Sequence, residues 1–494
     1  MSELVAGLWR RGPSLVTAVA QQVIDRAPGE FVRFGVERLG TRDKPALIAG
    51  TIALSLLLGA AAGIFAARRR VVGDVVFVVF AALGVAASID LPRSSAVTVA
   101  SAAVAAAAVG AMSLRLLLTS AAHPVMATSP RVIDPAPMSS RRRFLLLGGG
   151  LAAAALVSGN LGRLLLDRVS VAAARAKIGL PRPRRPAPQP PTGSSFSVAG
   201  LSPLVTANDR FYRIDTALAV PQVDPKDWRL RVHGRVDHSF ELTFDELLAM
   251  PMVEEYVTLS CVSNEVGGPL IGTATWLGVP IRNLLERAGI HPGADQVVGR
   301  SVDGFTVGFP TAAVLDGRTA LVAVGMNGEP LPVKHGFPAR LVIAGLYGYV
   351  SATKWVTELE ATTFSTYDAY WVPLGWAQQA PVKTESRIDV PPRGNSVSAG
   401  SVTVAGVAWA PTRGIAAVEV QIDDIAWQRA QISAELSKET WRQWLYRWNA
   451  TPGNHQLRVR AIDGTGATQD PRNAPPEPDG ATGYHTIDVT VTQF

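Results

Sequence analysis

Four long runs without a charged side chain occupy much of the first third of the chain. They extend from Pro45 to Ala67, Val75 to Ile89, Ser94 to Leu114 and Phe144 to Gly162. A helix rises about 1.5 Å per residue, so roughly 20 residues cross a hydrocarbon core of about 30 Å. The first, third and fourth runs fit this length, whereas the second must recruit Leu91 or cross with little tilt. We therefore predict a membrane domain over residues 45–166 with about four transmembrane helices.

Arginine clusters predict the orientation of these helices. Arg68 to Arg70 close the first run, and Arg141 to Arg143 open the fourth. Because positive side chains accumulate on the cytoplasmic side of membranes, four crossings leave everything after about Leu166 outside the cytoplasm. We predict a multi-pass protein of the inner or plasma membrane with its folded domains on the extracytoplasmic side. The same four crossings place the basic segment 1–44 outside the cytoplasm. We expect this segment to lie on the membrane surface as an amphipathic helix.

The start of the fourth run has the composition of an export signal. Ser140-Arg141-Arg142-Arg143-Phe144-Leu145 and the apolar residues that follow resemble a twin-arginine translocation signal. A positively flanked helix with fortuitous arginines explains the same residues. The distinction matters because the twin-arginine route exports proteins that are already folded.

The charge distribution argues against a nucleic-acid partner. The first 193 residues carry 23 Lys and Arg against 9 Asp and Glu, whereas the remainder carries 24 against 31. The folded C-terminal part is therefore acidic, and an acidic surface does not attract phosphate backbones. The sequence also contains no P-loop and no G-x-S-x-G motif, so nucleotide hydrolysis and α/β-hydrolase chemistry lose their usual support.

Changes in composition after the membrane runs predict a linker and two domains. Residues 167–195 form a Pro/Arg-rich linker, and because proline restricts φ and removes donors we expect Lys177 to Thr192 to be a stiff extended tether without helix or sheet. Residues 196–392 alternate short β-branched runs with helical spacing, which predicts an α+β domain. Residues 393–494 carry alternating runs separated by Gly, Pro and Asp, as in an Ig-like β-sandwich.

Two groups of residues in the α+β segment could bind a ligand or take part in catalysis. Cys261 is the single cysteine, which excludes disulfides, zinc ribbons and iron–sulfur clusters within the chain. Such a residue is most often a small buried hydrophobe, but its thiolate would be a soft metal ligand if a cofactor brought the other ligands. Downstream, His335, Arg340 and Lys354 surround glycine-rich backbone and could hold a phosphate-bearing anion. Solvated charges near a strand end explain the same three residues.

The order of the motifs is more specific than any one of them. The chain contains, in sequence, Asn208-x-x-Phe211-Tyr212-Arg213, Leu259-Ser260-Cys261, Trp276 to Ile281, Ser301-x-Asp303-Gly304, His335 to Arg340 and Lys354-Trp355. This order resembles the sulfite oxidase family of molybdopterin-dependent oxidoreductases, as a membrane-anchored bacterial-type member. The resemblance extends from Ser202 to about Trp376, and the C-terminal segment is similar to that family's molybdenum-cofactor dimerisation domain.

The resemblance implies a site and a chemistry. One molybdenum-molybdopterin cofactor per chain would be held by Cys261 as the metal ligand. The positions that match the family's cofactor contacts are Asn208, Phe211, Tyr212, Arg213, Asp303, His335, Arg340, Ala352, Thr353 and Lys354, with Ser301 as a substitute for Asp303. Cys261, Arg213 and Trp376 match catalytic positions. The implied reaction is a two-electron oxygen-atom transfer in which the cofactor carries the redox step.

Two departures from the family pattern concern the substrate. Glu265 lies in the turn where sulfite-oxidising members carry an arginine, and at contact distance it would repel sulfite by about 1 kcal/mol. Trp376 stands about where those members place a tyrosine, which predicts a more aromatic pocket. We therefore expect a small S-oxide or N-oxide to be favoured over sulfite.

The partners follow from what the chain lacks. The sequence has no Cys-x-x-Cys-His motif and no recognisable haem or flavin domain, so we expect electrons to come from a separate electron-transfer protein or a quinone-linked partner. His123, near the end of the third run, is interpreted as an interfacial residue rather than a haem ligand. A homodimer through the C-terminal domain is a further expectation. The resemblance also allows another helix ahead of the region Val23 to Asp25.

Two other function classes fit parts of the sequence. A catalytically inactive, membrane-anchored receptor or scaffold with an Ig-like interaction module would have the same architecture without the metal. A transporter is disfavoured because the apolar runs contain almost no internal charge to form an ion or substrate path. Molybdenum content separates the oxidoreductase from the scaffold.

Overall fold

The structure, a computed structural model, describes residues 15–27, 43–89, 96–121, 137–168 and 171–493. The chain folds into two compact units. The helical unit comprises Met1–Ser170 with Ala217–Gln222, and the β-rich unit comprises Val171–Thr216 with Val223–Phe494. Leu91 and His123, which the sequence analysis singled out, lie outside the described residues, as does most of the basic segment 1–44.

The described part of the helical unit contains five helices. They are α1 (Leu15–Arg26), α2 (Asp43–Arg68), α3 (Arg70–Ile89), α4 (Ala96–Ala121) and α5 (Pro137–Arg168). Helices α2 to α5 contain stretches long and apolar enough to cross a membrane, namely Ala46–Arg68, Val71–Ser88, Val99–Ser120 and Phe144–Gly162. The four predicted helices are therefore confirmed, and they indicate membrane association. The second has 18 residues, which is short but sufficient for a crossing with little tilt.

Helices α3 and α4 pack closely and carry charges within their apolar stretches. The Arg115 guanidinium lies 2.7 Å from the Asp74 carboxylate. A Cβ atom added at Gly110 would collide with the Phe77 ring, so the absence of a side chain there permits the close packing. Asp74 and Arg115 lie directly beside the charge-free runs of the sequence, and the two side chains form an ion pair with each other.

Helix α1 lies within the basic N-terminal segment and packs against α3. The Leu15 side chain packs against Gly84. A Cβ atom added at Gly84 would lie 3.4 Å from the Leu15 side chain. The Gln22 side chain donates a hydrogen bond to the Ala87 carbonyl (3.3 Å). A helix is therefore present in this segment, although one of its sides is covered by another helix.

The first part of the β-rich unit, as the structure describes it, contains two sheets and five short α-helices. Its strands are β1 (Arg229–Gly234), β2 (Phe240–Thr243), β3 (Val253–Ser260), β4 (Ile271–Pro280), β5 (Gln296–Ser301), β6 (Thr306–Pro310), β7 (Ala320–Met326), β8 (Glu329–Pro330), β9 (Arg340–Ile343) and β10 (Val356–Thr362). Sheet A has the order β3-β4-β7-β8 with β9 also paired to β7, and sheet B has the order β2-β1-β10-β5-β6. In addition to α6 (Ala172–Ala176), the described helices are α7 (Phe244–Ala249), α8 (Ile281–Ala288), α9 (Ala312–Leu315) and α10 (Gly348–Ser351).

Local sequence explains why these helices form where they do. Helix α7 begins with a capping box, in which the Thr243 side chain accepts from the Glu246 amide and Glu246 accepts from the Thr243 amide. Helix α8 buries Ile281, Leu284, Leu285 and Ala288, which recur at helical spacing. It ends at Gly289, whose φ of 68° is readily adopted by glycine.

The C-terminal part of the β-rich unit is a sandwich of two further sheets. Its strands are β11 (Glu385–Val390), β12 (Ser396–Ser398), β13 (Gly400–Trp409), β14 (Ile415–Ile422), β15 (Gln428–Arg429), β16 (Gln431–Ile432), β17 (Arg442–Ala450), β18 (Gly453–Asp463) and β19 (His485–Thr492). The sheet orders are β11-β13-β17-β16 and β12-β19-β18-β14-β15. Side chains from both sheets, including Val404, Trp444 and Val459, share one buried core. Because β11 pairs with β13, the sandwich begins before the predicted boundary at residue 393.

The Pro/Arg-rich segment differs from the free tether that its composition predicts. The Arg184 amide donates to the Met252 carbonyl (2.8 Å), and the Arg185 carbonyl accepts from the Glu254 amide (2.9 Å). These bonds join the segment to β3, which lies at the edge of sheet A. Proline lacks only its own amide donor, so the Arg184 amide can still donate and the Arg185 carbonyl can still accept. The extended chain can therefore cover an exposed strand edge. The segment is thus a docked strap along the strand that leads to Cys261.

Replacing Arg184 with proline tests this docking. Arg184→Pro removes the amide that pairs with Met252, and an unsatisfied carbonyl costs about 1–3 kcal/mol when it stays away from water. We expect the free energy of unfolding of the β-rich unit to fall by about that amount in thermal or denaturant melts. Arg182→Pro, at an exposed residue of the same segment, is the control and should have a smaller effect; equal effects would contradict the docking.

Candidate active site

A cavity opens beside Cys261 in the β-rich unit. It contains about 780 Å³ of space not filled by protein atoms, part of which is open to solvent. The residues singled out from the sequence that line it are Phe211, Tyr212, Cys261, Ser301, Asp303, Arg340, Ala352 and Lys354.

Ends of strands from both sheets bring these residues together. Cys261 directly follows β3, and Arg340 is the first residue of β9, both in sheet A. Ser301 is the last residue of β5, and Lys354 lies two residues before β10, both in sheet B. Positions so far apart in the sequence meet because strand ends converge, which is a common way to place functional side chains on a rigid scaffold.

Hydrogen bonds in the following turn fix the position of Cys261. The Cys261 amide donates to the Leu270 carbonyl (2.9 Å), and the Cys261 carbonyl accepts from the Asn264 amide (3.1 Å). The Asn264 side chain in turn accepts from the Leu270 amide (2.7 Å). The side chain of Cys261 is buried, with 7% of the residue exposed, yet it borders the cavity. Its position therefore differs from that of a cysteine packed wholly among aliphatic residues.

The Cys261 thiol is not activated by its protein surroundings alone. Burial raises the pKa of the Cys261 thiol, against the opposing effects of hydrogen bonds from Ser263 and of the Lys354 charge. A bound metal cation would favour the thiolate, because coordination displaces the thiol proton.

Arg340 is a buried cation that has no carboxylate partner within the described parts of the chain. Only 4% of the residue is exposed. Its guanidinium donates to the carbonyls of His335 (3.2 Å) and Leu341 (3.3 Å), and it lies 5.0 Å from the centre of the Trp276 ring. Burial lowers the pKa of Arg340 to about 10, so the group is still charged near neutral pH. A buried charge without a counter-ion is costly, and an anionic ligand would compensate it.

Lys354 is the second buried cation of the cavity, and it is paired. Its ammonium donates to the Ile214 carbonyl (2.8 Å) and to the Asp215 carboxylate (3.2 Å). Burial lowers the pKa of Lys354 to about 8, with the Asp215 carboxylate acting in the opposite direction. Asp215 was missed in the sequence analysis, although an acidic residue two positions after Arg213 is the signal that could have suggested it.

His335 lies behind the cavity wall and has one unsatisfied nitrogen. Its Nε2 pairs with the Asn208 carbonyl (3.1 Å), so Nε2 carries the proton and Nδ1 is an acceptor. Nδ1 is buried and has no hydrogen-bond partner among the described residues. Burial, followed by the charges of Arg340 and Lys354, lowers the pKa of His335 to about 3, which keeps the ring neutral.

Five of the predicted site residues do not line the cavity. They are Asn208, Arg213, His335, Thr353 and Trp376. The Asn208 amide donates to the Met326 carbonyl (3.2 Å), and the Thr353 hydroxyl donates to the Gly299 carbonyl (3.2 Å). Arg213 contacts the cavity indirectly, since its Nε lies 2.8 Å from the Asp215 carboxylate. Their roles in the site remain predictions.

Aromatic rings near the opening differ from the predicted arrangement. Trp371, rather than Trp376, lines the cavity. The Trp376 ring packs behind it, with its centre 6.1 Å from that of Trp371 and 5.6 Å from that of Tyr349. Phe305 and Tyr349 also line the cavity and were not singled out from the sequence.

Glu265 does not have the position that the sequence argument required. Its side chain is exposed and is not part of the cavity wall. The Glu265 carbonyl accepts from the Gly268 amide (2.8 Å), which closes the turn after Cys261. The predicted repulsion of an anion at contact distance is therefore wrong, because the turn leaves this side chain outside the cavity.

Similarity to known proteins shows the family of the chain. A family profile described as "Oxidoreductase molybdopterin binding domain" matches residues 217–371. The chain is 33% identical over 153 residues to the uncharacterized oxidoreductase YuiH of Bacillus subtilis (strain 168), covering 31% of this chain and 74% of that protein. It is also 29% identical over 310 residues to the mitochondrial sulfite oxidase of Homo sapiens, covering 52% of this chain and 56% of that protein. The chain belongs to the sulfite oxidase family of molybdopterin-dependent oxidoreductases. It spans about half the length of the sulfite oxidases that it matches.

A solved structure supports the fold of this family member. The sulfane dehydrogenase SoxCD from Paracoccus pantotrophus superposes with a TM-score of 0.51 at 24% identity, over 59% of this chain and 82% of that chain. The molybdopterin-binding part of the fold is therefore confirmed. The cofactor that membership in the family implies is molybdenum-molybdopterin.

The residues at the cavity fit this cofactor. Cys261 offers a soft sulfur ligand at the cavity wall, and metals held by sulfur take such ligands. The buried Arg340 guanidinium lacks an anion among the described residues, and the cofactor carries a phosphate. The His335 Nδ1 atom is a buried acceptor without a donor in the described chain. The cavity therefore borders a soft sulfur and a buried cation without a carboxylate partner among the described residues, and both groups suit a ligand that carries a metal and a phosphate.

Arg340 provides a test of this fit. We expect Arg340→Met to leave the stability of the cofactor-free protein unchanged or higher, because it replaces an uncompensated buried charge with an apolar chain. Loss of charge-assisted hydrogen bonds, at about 1.5–3 kcal/mol, should lower cofactor affinity at least about tenfold. Metal analysis and pterin fluorescence report the second effect, and thermal melts report the first.

Arg387, which pairs with Asp389 at 2.7 Å outside the cavity, supplies the control. Arg387→Met should destabilise the fold, while the protein that remains folded should keep its cofactor. If Arg340→Met and Arg387→Met behave alike in both measurements, Arg340 has a structural role and the anion site is wrong.

Proposed function

We propose that this chain is a membrane-anchored molybdenum oxidoreductase that transfers an oxygen atom, with two electrons, to or from a small uncharged S-oxide or N-oxide substrate. The observation that supports it most directly is the cavity in which Cys261 faces aromatic rings and two buried cations. When bound, the cofactor supplies the redox-active metal that exchanges the oxygen atom. In the reducing direction, an S-oxide, two electrons and two protons give a sulfide and water.

The chain's own residues hold and orient the reacting groups. Cys261 holds the metal, and Arg340 and Lys354 hold the anionic end of the cofactor. The rings of Tyr349 and Trp371 cover part of the cavity and limit the access of water to the substrate. Two electrons per turnover come from a separate electron-transfer protein or a quinone-linked partner.

The preference for an uncharged substrate rests on the charge balance in the cavity. Lys354 is paired with Asp215, and in this proposal both Lys354 and Arg340 bind the anionic end of the cofactor. Asp303 adds a carboxyl group whose pKa is raised by burial. A sulfite anion would therefore lose its hydration without gaining a free cation, which is unfavourable in a half-enclosed site. An S-oxide needs only hydrogen bonds and apolar contact.

Cys261→Ser tests the metal site and the reaction together. Because serine is a poor ligand for a metal that binds sulfur, we expect the variant to hold molybdenum more weakly and to lose all detectable turnover while its circular dichroism is unchanged. The wild-type protein should contain close to one molybdenum and one pterin per chain and reduce neutral sulfoxides with an artificial electron donor. A wild-type protein without metal would favour a receptor or scaffold, and sulfite turnover with a micromolar KM would overturn the substrate preference.

Substitutions of Trp371 and Trp376 distinguish a ring that lines the cavity from a ring that packs against it. Trp371→Ala removes a ring that lines the cavity, so we expect KM for a sulfoxide with an apolar substituent to rise about tenfold, with a smaller change in kcat. Trp376→Ala removes only the ring behind it and should raise KM less. Steady-state kinetics of both variants, each normalised to molybdenum content, distinguishes the two; a larger KM effect in Trp376→Ala would contradict this assignment.

The remaining parts of the proposal concern location and assembly. The catalytic and C-terminal domains lie on the extracytoplasmic side of the inner or plasma membrane, exported through the twin-arginine-like motif at Arg141 and Arg142. The C-terminal sandwich is an Ig-like module, and it forms the interface of a homodimer. The arginine clusters flanking the apolar helices and the two-sheet architecture with a shared core support these points.

A further inference from the structure

We propose that Asp215 is the positioning residue of the cofactor's anion site, which it forms by linking Lys354 within the cavity to Arg213 at its margin. The inference rests on the proposed cofactor binding and adds a residue to it. Asp215 would not contact the reacting atoms. It would determine whether the cavity offers a charged ammonium group at a fixed position.

Distances and burial show that the three side chains form one connected group. Asp215 Oδ2 lies 2.8 Å from Arg213 Nε and 3.2 Å from Lys354 Nζ. The side chains of Asp215 and Lys354 are 6% and 10% exposed, whereas that of Arg213 is 37% exposed. The buried carboxylate therefore joins an inner cation to an outer one.

A second contact fixes the direction of the Lys354 ammonium. Lys354 Nζ also donates to the carbonyl of Ile214, the residue before Asp215 (2.8 Å). Two acceptors from adjacent residues orient two of its three donors, and the third can face a ligand. Because Ile214, Asp215 and Lys354 all line the cavity, this orientation is set at the cavity wall.

Charge is the reason that Lys354 needs a carboxylate at this position. Burial disfavours an ammonium ion, and an opposite charge within about 4–6 Å favours it by about 1–3 pKa units. The pKa of Lys354 is lowered to about 8 by burial, while Asp215 acts to raise it and Arg340 and Arg213 act to lower it further. Without Asp215 the amine would lose its proton at a lower pH, and a neutral amine attracts a phosphate weakly.

The other groups around Lys354 do not replace this carboxylate. Arg340 on β9 is a cation, His335 is kept neutral, and burial raises the pKa values of both Asp303, in the turn after β5, and Cys261, at the end of β3. Among the residues that the structure describes, the ion pair of Lys354 is with Asp215.

Two substitutions with opposite expected signs test the proposal. Asp215→Asn removes the charge that favours the ammonium, so the pKa of Lys354 falls and the cofactor should be released at a lower pH. Arg213→Gln removes a cation that disfavours the ammonium, so the pKa of Lys354 rises and release should require a higher pH. We expect the midpoint to fall by about 1–3 pH units in Asp215→Asn and to rise by a smaller amount in Arg213→Gln.

The experiment measures cofactor retention in the full-length protein. Protein loaded with cofactor is equilibrated between pH 6 and pH 10, separated from released material, and analysed for molybdenum and for pterin by fluorescence after oxidation. Asp389→Asn, which removes a carboxylate paired with Arg387 outside the cavity, is the matched control and should leave the midpoint unchanged. Asp215→Glu keeps the charge and should keep the wild-type midpoint within about half a unit.

The outcomes separate this inference from the proposed function. Absence of molybdenum and pterin from the wild-type protein would refute the proposed cofactor binding itself. A loaded wild-type protein whose two variants show no midpoint shift, or shift in the same direction, would refute the role of Asp215 alone. If Asp215→Asn does not fold, Arg213→Gln and Asp215→Glu decide: a raised midpoint in the first and an unchanged one in the second support the role, and any other pair of results overturns it.

Discussion

Burial of positive charge beside a single sulfur is the constraint on which the site depends. Arg340 and Lys354 are held away from water on the wall of the cavity that Cys261 also lines. Taking one such charge out of water costs several kcal/mol unless an anion compensates it. Asp215 compensates Lys354, whereas the Arg340 guanidinium bonds only to main-chain carbonyls among the described residues. A phosphate-bearing ligand would supply the negative charge that Arg340 lacks, so the stability of the cavity and the binding of the cofactor depend on each other.

The surrounding architecture keeps this arrangement rigid. Strand β3 delivers Cys261, and the strap of Arg184 and Arg185 covers the edge of that strand. The main-chain hydrogen bonds of the turn after β3 then fix the backbone of Cys261 beside the cavity. A cysteine on such a support needs little further ordering to bind a ligand, which favours binding.

Sequence order was sufficient to predict eight of the residues that line the cavity, but not Asp215, Tyr349 or Trp371. Cys261, Arg340 and Lys354 follow from the succession of motifs, because the order of the motifs resembles that of the family. Trp371 could not be distinguished from Trp376, since the turn between them decides which ring faces the cavity. The inward position of Asp215 and the outward position of Glu265 depend on the paths of two loops. The docking of Arg184 depends on a strand edge about 70 residues away, which local composition does not encode.

X-ray absorption at the molybdenum edge tests the central claim most directly. If Cys261 binds the metal beside the two dithiolene sulfurs of one molybdopterin, the spectrum of the wild-type protein should require three sulfur neighbours. A Cys261→Ser sample forced to retain cofactor should require two. A wild-type spectrum with no protein sulfur, or one that is unchanged by the substitution, would contradict the account.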